Sequence, residues 1–204
     1  MSVVRLPNYR YVHRVGTASL RLQSKIRPLM GATVLLCGGA LRAQSASEYE
    51  IKAAFLYKFA SFVQWPAAAP GNPPAGAGPI CIGVLGADRF GPSLEQVVRG
   101  KLVSGRGFTV GRFQSPSQAQ HCDIVFISSS EQNRISEILL TLRDKPILTV
   151  SEVQGFCEKG GLVNLKVVDS AVRFEINVAA GEHAGLHFSS KLLTLAKIVP
   201  EANP

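Results

Sequence analysis

Residues 122–151, CDIVFISSSEQNRISEILLTLRDKPILTVS, decide the fold class. The run 122–128 is apolar, β-branched and the length of a strand. A serine run then leads into a helix in which Ile135, Ile138, Leu139 and Leu142 fall on one face. Ser129 and Gln132 have the spacing of a capping box. Residues 146–151, PILTVS, return as a second strand. Strand, helix and strand at this spacing call for parallel pairing with a right-handed crossover.

The pattern extends in both directions. Upstream, residues 80–86 (ICIGVLG) read as a strand buried on both faces. Residues 92–100 form a helix with Pro92 at its start and Gly100 just past its end, and residues 108–113 form another strand. Downstream, residues 162–168 and 172–178 flank the turn Asp169-Ser170-Ala171. In the second run Val172, Phe174, Ile176 and Val178 point inward. Arg173, Glu175 and Asn177 point outward, so an antiparallel hairpin with one wet face is expected at the sheet edge. Ser189 caps a final amphipathic helix bearing Leu192, Leu193 and Ala196. The expected architecture is α/β: a single three-layer domain whose mixed, mostly parallel sheet ends in a C-terminal antiparallel hairpin. It is flavodoxin-like, or like the lobe of a periplasmic binding protein.

Before this body come three segments of different character. Residues 48–64 (EYEIKAAFLYKFASFVQ) place Ile51, Phe55, Phe59 and Phe62 at helical spacing, flanked by Leu56 and Val63, with Glu48, Lys52 and Lys58 turned away. Trp65-Pro66 stops that helix. Residues 66–79 are a Pro/Gly/Ala-rich loop too poor in bulky side chains to pack. Residues 1–43 combine basic residues, the apolar run ending GATVLLCGGA, and a small residue at Ala43. That is the pattern of a secretory signal peptide cleaved after Ala43, leaving 44–204 as the folded chain. The apolar run is shorter than the ~20 residues of a membrane helix. Leu36 before Cys37 argues against a lipid-modified cysteine.

Composition narrows the function. The 204 residues are 46% hydrophobic, with mean hydropathy +0.16, which supplies a core and excludes a disordered chain. The net charge of +8 suggests nucleic acid, but seven of the 22 basic residues lie in 1–43, where there is no acid. That leaves 15 basic against 14 acidic residues in the body. A nearly neutral body has no electrostatic case for DNA or RNA.

Export brings a compartment that permits disulfides. Cys81 and Cys122 open two apolar runs, so they sit at the same end of neighbouring strands. A bridge would close about 42 residues and contribute about 4 kcal/mol on the chain-entropy model. Three buried free thiols are the alternative. Cys157 is left over in the bridged case.

Catalytic signatures do not emerge. Gly83, Gly86 and Gly91 do not form G-x-G-x-x-G, and neither a Walker lysine motif nor G-x-S-x-G occurs. His121 beside Cys122 and Asp123 reads as strand, where neighbours point to opposite faces. His183 and His187 have Gly185 between them and read as solvent-exposed. The carboxyl ends of the strands offer Asp88-Arg89, Ser128-Ser129-Ser130 and Ser151-Glu152. These suit a small polar ligand but lack a nucleophile–base pair. No enzyme activity, catalytic residue, metal or cofactor is expected.

Several strings together resemble the YfiR family: IKAAFLYKFASFVQWP, ICIGVLGADRFG, SGRGFTVGRF, HCDIVFIS, ILTVSE and GGLVNLKVVDSAVRFEINVAAGEHAGLHFSSKLLTLA. They span about 48–198. The resemblance implies a periplasmic, non-enzymatic regulator that represses an inner-membrane GGDEF diguanylate cyclase by binding its periplasmic sensor domain. It thereby implies control of cyclic-di-GMP and biofilm formation. It also implies a homodimer and an OmpA-like outer-membrane lipoprotein as sequestering partner. Cys81 and Cys122 match one family disulfide, while Cys157 lacks the nearby partner a second bridge needs. Arg173 and Glu175 on the hairpin, with Phe156 nearby, are the expected partner- or ligand-binding residues. A periplasmic small-molecule-binding sensor is the alternative function.

Overall fold

The computed structural model describes residues 38–66 and 78–200, with side chains from Glu48 onward. Residues 1–37 of the expected signal peptide and 67–77 of the Pro/Gly/Ala-rich loop lie outside the described residues, while 38–43 form the start of the first helix. A helix, α1 (Gly38–Phe62), runs directly into a two-residue strand, β1 (Val63–Gln64). There follow β2 (Ile80–Leu85), α2 (Ser93–Val98), β3 (Phe108–Phe113), β4 (Ile124–Ile127), α3 (Ile135–Leu142) and β5 (Leu148–Ser151). The chain closes with β6 (Val163–Val168), β7 (Ala171–Ile176), α4 (Val178–His183), β8 (His187–Phe188), α5 (Ser190–Leu193) and β9 (Lys197–Ile198). No helix among the described residues is long and apolar enough to cross a membrane.

The main sheet has the order β3-β2-β4-β5-β6-β7-β9. Its neighbours from β3 to β6 are parallel, β6–β7 is the antiparallel hairpin, and β9 pairs parallel to β7. Alternation along the central strands feeds two cores. Ile82 and Val84 of β2, with Ile124 and Phe126 of β4, join Leu56 and Phe59 of α1 and Leu94 of α2. Leu85, Val125 and Ile127 face the other way, onto Ile135, Ile138 and Leu142 of α3. A sheet buried on both faces by helices gives three layers, as the unbroken apolar strands imply.

Five details depart from the sequence reading. The buried face of α1 is Tyr49, Lys52, Ala53, Leu56, Phe59 and Ala60, about a quarter-turn from the aromatic stripe. Ile51 is 37% exposed, and Lys52 is only 3% exposed instead of facing away. Small Ala53 and Ala60 let the helix axis approach the sheet, and Phe55 and Phe62 pack from its flanks. Residues 63–64 are strand because Val63 and Gln64 pair with Phe188 and His187.

The helix after β4 begins as a 3₁₀ turn, Ser129–Arg134. Ser128 is its cap, accepting from the Ser130 N–H, in place of the expected Ser129–Gln132 box. The hairpin turn is the two-residue Asp169-Ser170, both left-handed (φ 50° and 59°), so Ala171 already belongs to β7. Finally, β7 has no fully wet face. Glu175 is 3% exposed, held between Lys166 and Lys197, and Asn177 is buried where it donates to the Cys157 carbonyl and caps the following helix.

Candidate functional site

The chain leaves β2, forms β3 on one side, and returns to form β4 on the other. The loops after β2 and β4 lead to helices packed on opposite faces, and the carboxyl ends of these strands are where α/β sheets take ligands. Gly86 (φ +88°) starts the loop after β2. A Cβ there would lie 2.5 Å from the Ser130 Oγ, so only glycine lets the two loops touch. The Ser130 Oγ accepts from the Ala87 N–H at 3.0 Å. Asp88 accepts from the Phe90 N–H (2.8 Å) and from Arg112 (2.9 Å). Ser151 donates to the Ile127 carbonyl at 2.7 Å and accepts from the Val153 N–H. Most of the predicted strand-end groups thus hold their own loops in place.

Glu152 does something else. It lies under α1, where Tyr49 donates to its carboxylate at 2.8 Å and Lys52 forms a second, charged contact. Lys52 also pairs with Glu48 one turn back, and the Arg89 Nη1 reaches the Tyr49 hydroxyl at 3.5 Å. Burial alone would raise the Glu152 carboxyl, but Lys52, Tyr49 and Ser129 bonding to the charged form hold it below the ordinary carboxylate range. Burial, together with the neighbouring Glu152 charge, pushes the Tyr49 hydroxyl well above its usual value. Two exposed backbone loops, a buried lysine–glutamate pair and a surface arginine therefore converge at one end of the sheet. What the group offers is charge and hydrogen bonds: Lys52, Glu152, Tyr49 and Arg89. Arg89 and Glu152 were expected here; Tyr49 and Lys52 were not. The three-residue step from Tyr49 to Lys52, in phase with Leu56 and Phe59, is the signal that places both on the inner face.

Of the three expected partner residues, only one presents its side chain to solvent. Arg173 is exposed on β7, opposite Lys166. Glu175 is buried between lysines from the strands on either side: Lys166 at 2.6 Å and Lys197 at 2.9 Å. Burial opposes its charge, yet the two lysines bring its pKa below the ordinary range. Phe156 is fully buried in the second core, beside Gly161, where a Cβ would meet its ring at 2.2 Å. Cys157 is a buried free thiol facing the carbonyls of Leu162 and Glu175 at 3.7 Å. Burial first, then the Glu175 and Glu158 charges, push it up to about 12.

Cys81 and Cys122 form a disulfide, with Cα atoms 4.6 Å apart. It joins β2 to the residues just before β4. His121 lies in a turn and not in a strand, so the opposite-face expectation does not apply: its imidazole nitrogen and both sulfurs lie within 4.8 Å of one another. His183 ends α4 and His187 lies in β8, separated by Gly185 in a left-handed conformation, so they share no helix face.

A family model described as YfiR/HmsC-like matches residues 49–197. The chain belongs to the YfiR/HmsC-like family. The matched segment opens at Tyr49 of the strand-end cluster and closes at Lys197, the partner of Glu175. This YfiR/HmsC-like chain is also similar to a solved structure, a conserved domain protein from Vibrio cholerae O1 biovar El Tor. The TM-score is 0.50 and the identity 12%, over 75% of this chain and 60% of that one. The likeness is one of fold, and the chain spans about 60% of that protein's length. No curated protein matches the chain.

Proposed function

We propose that this protein is a periplasmic regulator of cyclic-di-GMP signalling. It represses an inner-membrane GGDEF diguanylate cyclase by holding the enzyme's periplasmic sensor domain in its inactive state. Family membership across 49–197 carries the reading. Repression of this kind is a population shift. Taking a cyclase from mostly on to mostly off needs about 5.5 kcal/mol of differential affinity. With a nearly neutral body, that energy must come from shape and apolar contact more than from bulk charge.

The hairpin suits such a contact. Val167 and Val168 are exposed on β6, Arg173 is exposed on β7, and Ile198 is exposed on β9. Among the described residues, only Glu175 and Ile176 of β7 are paired with β9, and none pairs with the outer edge of the strand's first half. In this reading Arg173 meets a partner carboxylate bidentately, while Glu175 and Phe156 support the surface from beneath. The same edge serves a homodimer, and an OmpA-like outer-membrane lipoprotein competes for the protein and relieves repression. Deleting the gene is expected to raise cellular cyclic-di-GMP and attachment. A copy carrying Arg173→Glu, folded and exported, should fail to restore them. Unchanged cyclic-di-GMP in the deletion refutes the proposal.

A second reading is favoured by the convergence of Arg89, Tyr49, Lys52 and Glu152 at the strand ends. There the protein is a periplasmic sensor for a small polar molecule. Thermal-shift screening with amino acids and nucleotides tests it. A ligand that stabilises the wild type but not Arg89→Ala supports it, and no shift with any compound removes it.

A further inference from the structure

His121, Cys81 and Cys122 place one imidazole nitrogen and two sulfurs in a single cluster, with all three atoms within 4.8 Å of one another. While the disulfide stands, neither sulfur is a thiolate, and the cluster has no metal-binding capacity. The backbone around it is held independently of that bond. The Asp123 carboxylate accepts from the Cys81 N–H at 2.8 Å, and the Asp123 N–H donates to the Cys81 carbonyl at 3.1 Å. The Cys122 N–H donates to Ala119 at 3.1 Å. Arg106 is neutralised by Asp123 at 3.2 Å, so no uncompensated cation faces the sulfurs from that side. His121 is exposed, its ring set edge-on to Phe113 at 5.5 Å.

We propose that the reduced protein binds zinc through Cys81, Cys122 and His121, and that the disulfide and the metal are alternative ties between the same two strands. A dithiol reductant converts the bridge to two cysteine thiols and is itself oxidised to a disulfide. Zinc then displaces one proton from each thiol into solvent and takes a lone pair from the neutral imidazole. Two thiolates and one imidazole form a soft, nitrogen–sulfur donor set of the kind zinc selects. Zn–S bonds of about 2.3 Å and a Zn–N bond of about 2.0 Å put tetrahedral donors roughly 3.5–4 Å apart. The sulfurs reach that separation by side-chain rotation once the bond between them is gone. The fourth position falls on the open side beside His121, where water completes the shell.

The test uses the mature protein carrying Cys157→Ser, so that only two thiols remain. After reduction and desalting under anaerobic conditions, zinc alone is titrated against a chromogenic chelator. One equivalent per reduced chain and none per oxidised chain are expected. His121→Ala, an exposed substitution, should weaken binding at least about tenfold. Cobalt(II) in place of zinc should give the thiolate charge-transfer band and the visible bands of a tetrahedral site. Near-ultraviolet circular dichroism reports whether the reduced chain keeps its fold. Zinc uptake by the oxidised chain, no uptake by the reduced chain, or affinity indifferent to His121→Ala overturns the proposal. A reduced chain that unfolds and is not restored by zinc overturns it as well.

Discussion

Replacing Glu152 by glutamine keeps the shape beneath α1 but removes the charge that compensates Lys52. The Lys52 ammonium is 3% exposed and is left with Glu48, whose side chain is 32% exposed. Removing one partner of a buried pair costs about 3–5 kcal/mol, because the other charge stays in a poor solvent. The remaining contact to Glu48 places this case at the low end, about 3 kcal/mol. At about 2–4 °C per kcal/mol for a domain of this size, the melting temperature should fall by roughly 6–12 °C. The double variant Lys52→Met, Glu152→Gln removes both charges and should recover most of that loss, since no uncompensated charge is then left buried. Acid provides a second arm. The Glu152 pKa is depressed in the folded chain, so its contribution is complete above the unfolded value of about 4.3. That contribution drains away as pH falls through the lower folded value. The single variant should therefore lose part of the wild type's acid sensitivity. Urea unfolding from pH 7 to pH 3 reads both arms. A Glu152→Gln chain as stable as wild type at pH 7, or a double variant worse than the single, would refute the account of the pair.

Other expectations follow from the same structure. Cys81→Ser with Cys122→Ser opens a crosslink spanning 41 positions; it should cost about 4 kcal/mol, seen as a lower urea midpoint under non-reducing conditions. Cys157, with its pKa pushed up to about 12 by burial, should stay unreactive to a thiol reagent at pH 8 in the native chain and react fully in denaturant. Phe156→Ala should lose about 3–5 kcal/mol from the second core, whereas exposed Arg173→Ala should stay within about 0.5 kcal/mol of wild type. A binding defect in the phenylalanine variant must therefore be judged against its folded fraction.

The parallel core was legible because its signals are local. Residues 108–113 start just after Gly107 and form β3 over that same span. The run 124–127 is apolar on both faces because both faces are covered. The failures have one physical source, partners remote in sequence. A charge on a strand reads as solvent-facing until lysines from β6 and β9 are brought to Glu175. Lys52 reads as outward until Glu152, a hundred positions later, meets it. For α1 the weight of three phenylalanines outvoted the two alanines that set the true inner face. At His121 the error was one of boundary. The strand begins at Ile124, and a turn residue is free to aim its ring at the sulfur next door.

The two margins of the sheet are secured very differently. The β3 margin lies inside a covalent ring, since its whole strand falls between Cys81 and Cys122. The far margin is a two-residue strip clipped on by its register with Glu175 and Ile176 and by one lysine contact. Thermal breathing therefore has a preferred direction. Opening is expected to start where β9 lifts from β7, uncovering the Glu175 carboxylate. Whatever docks against the outer strand meets a border already inclined to open.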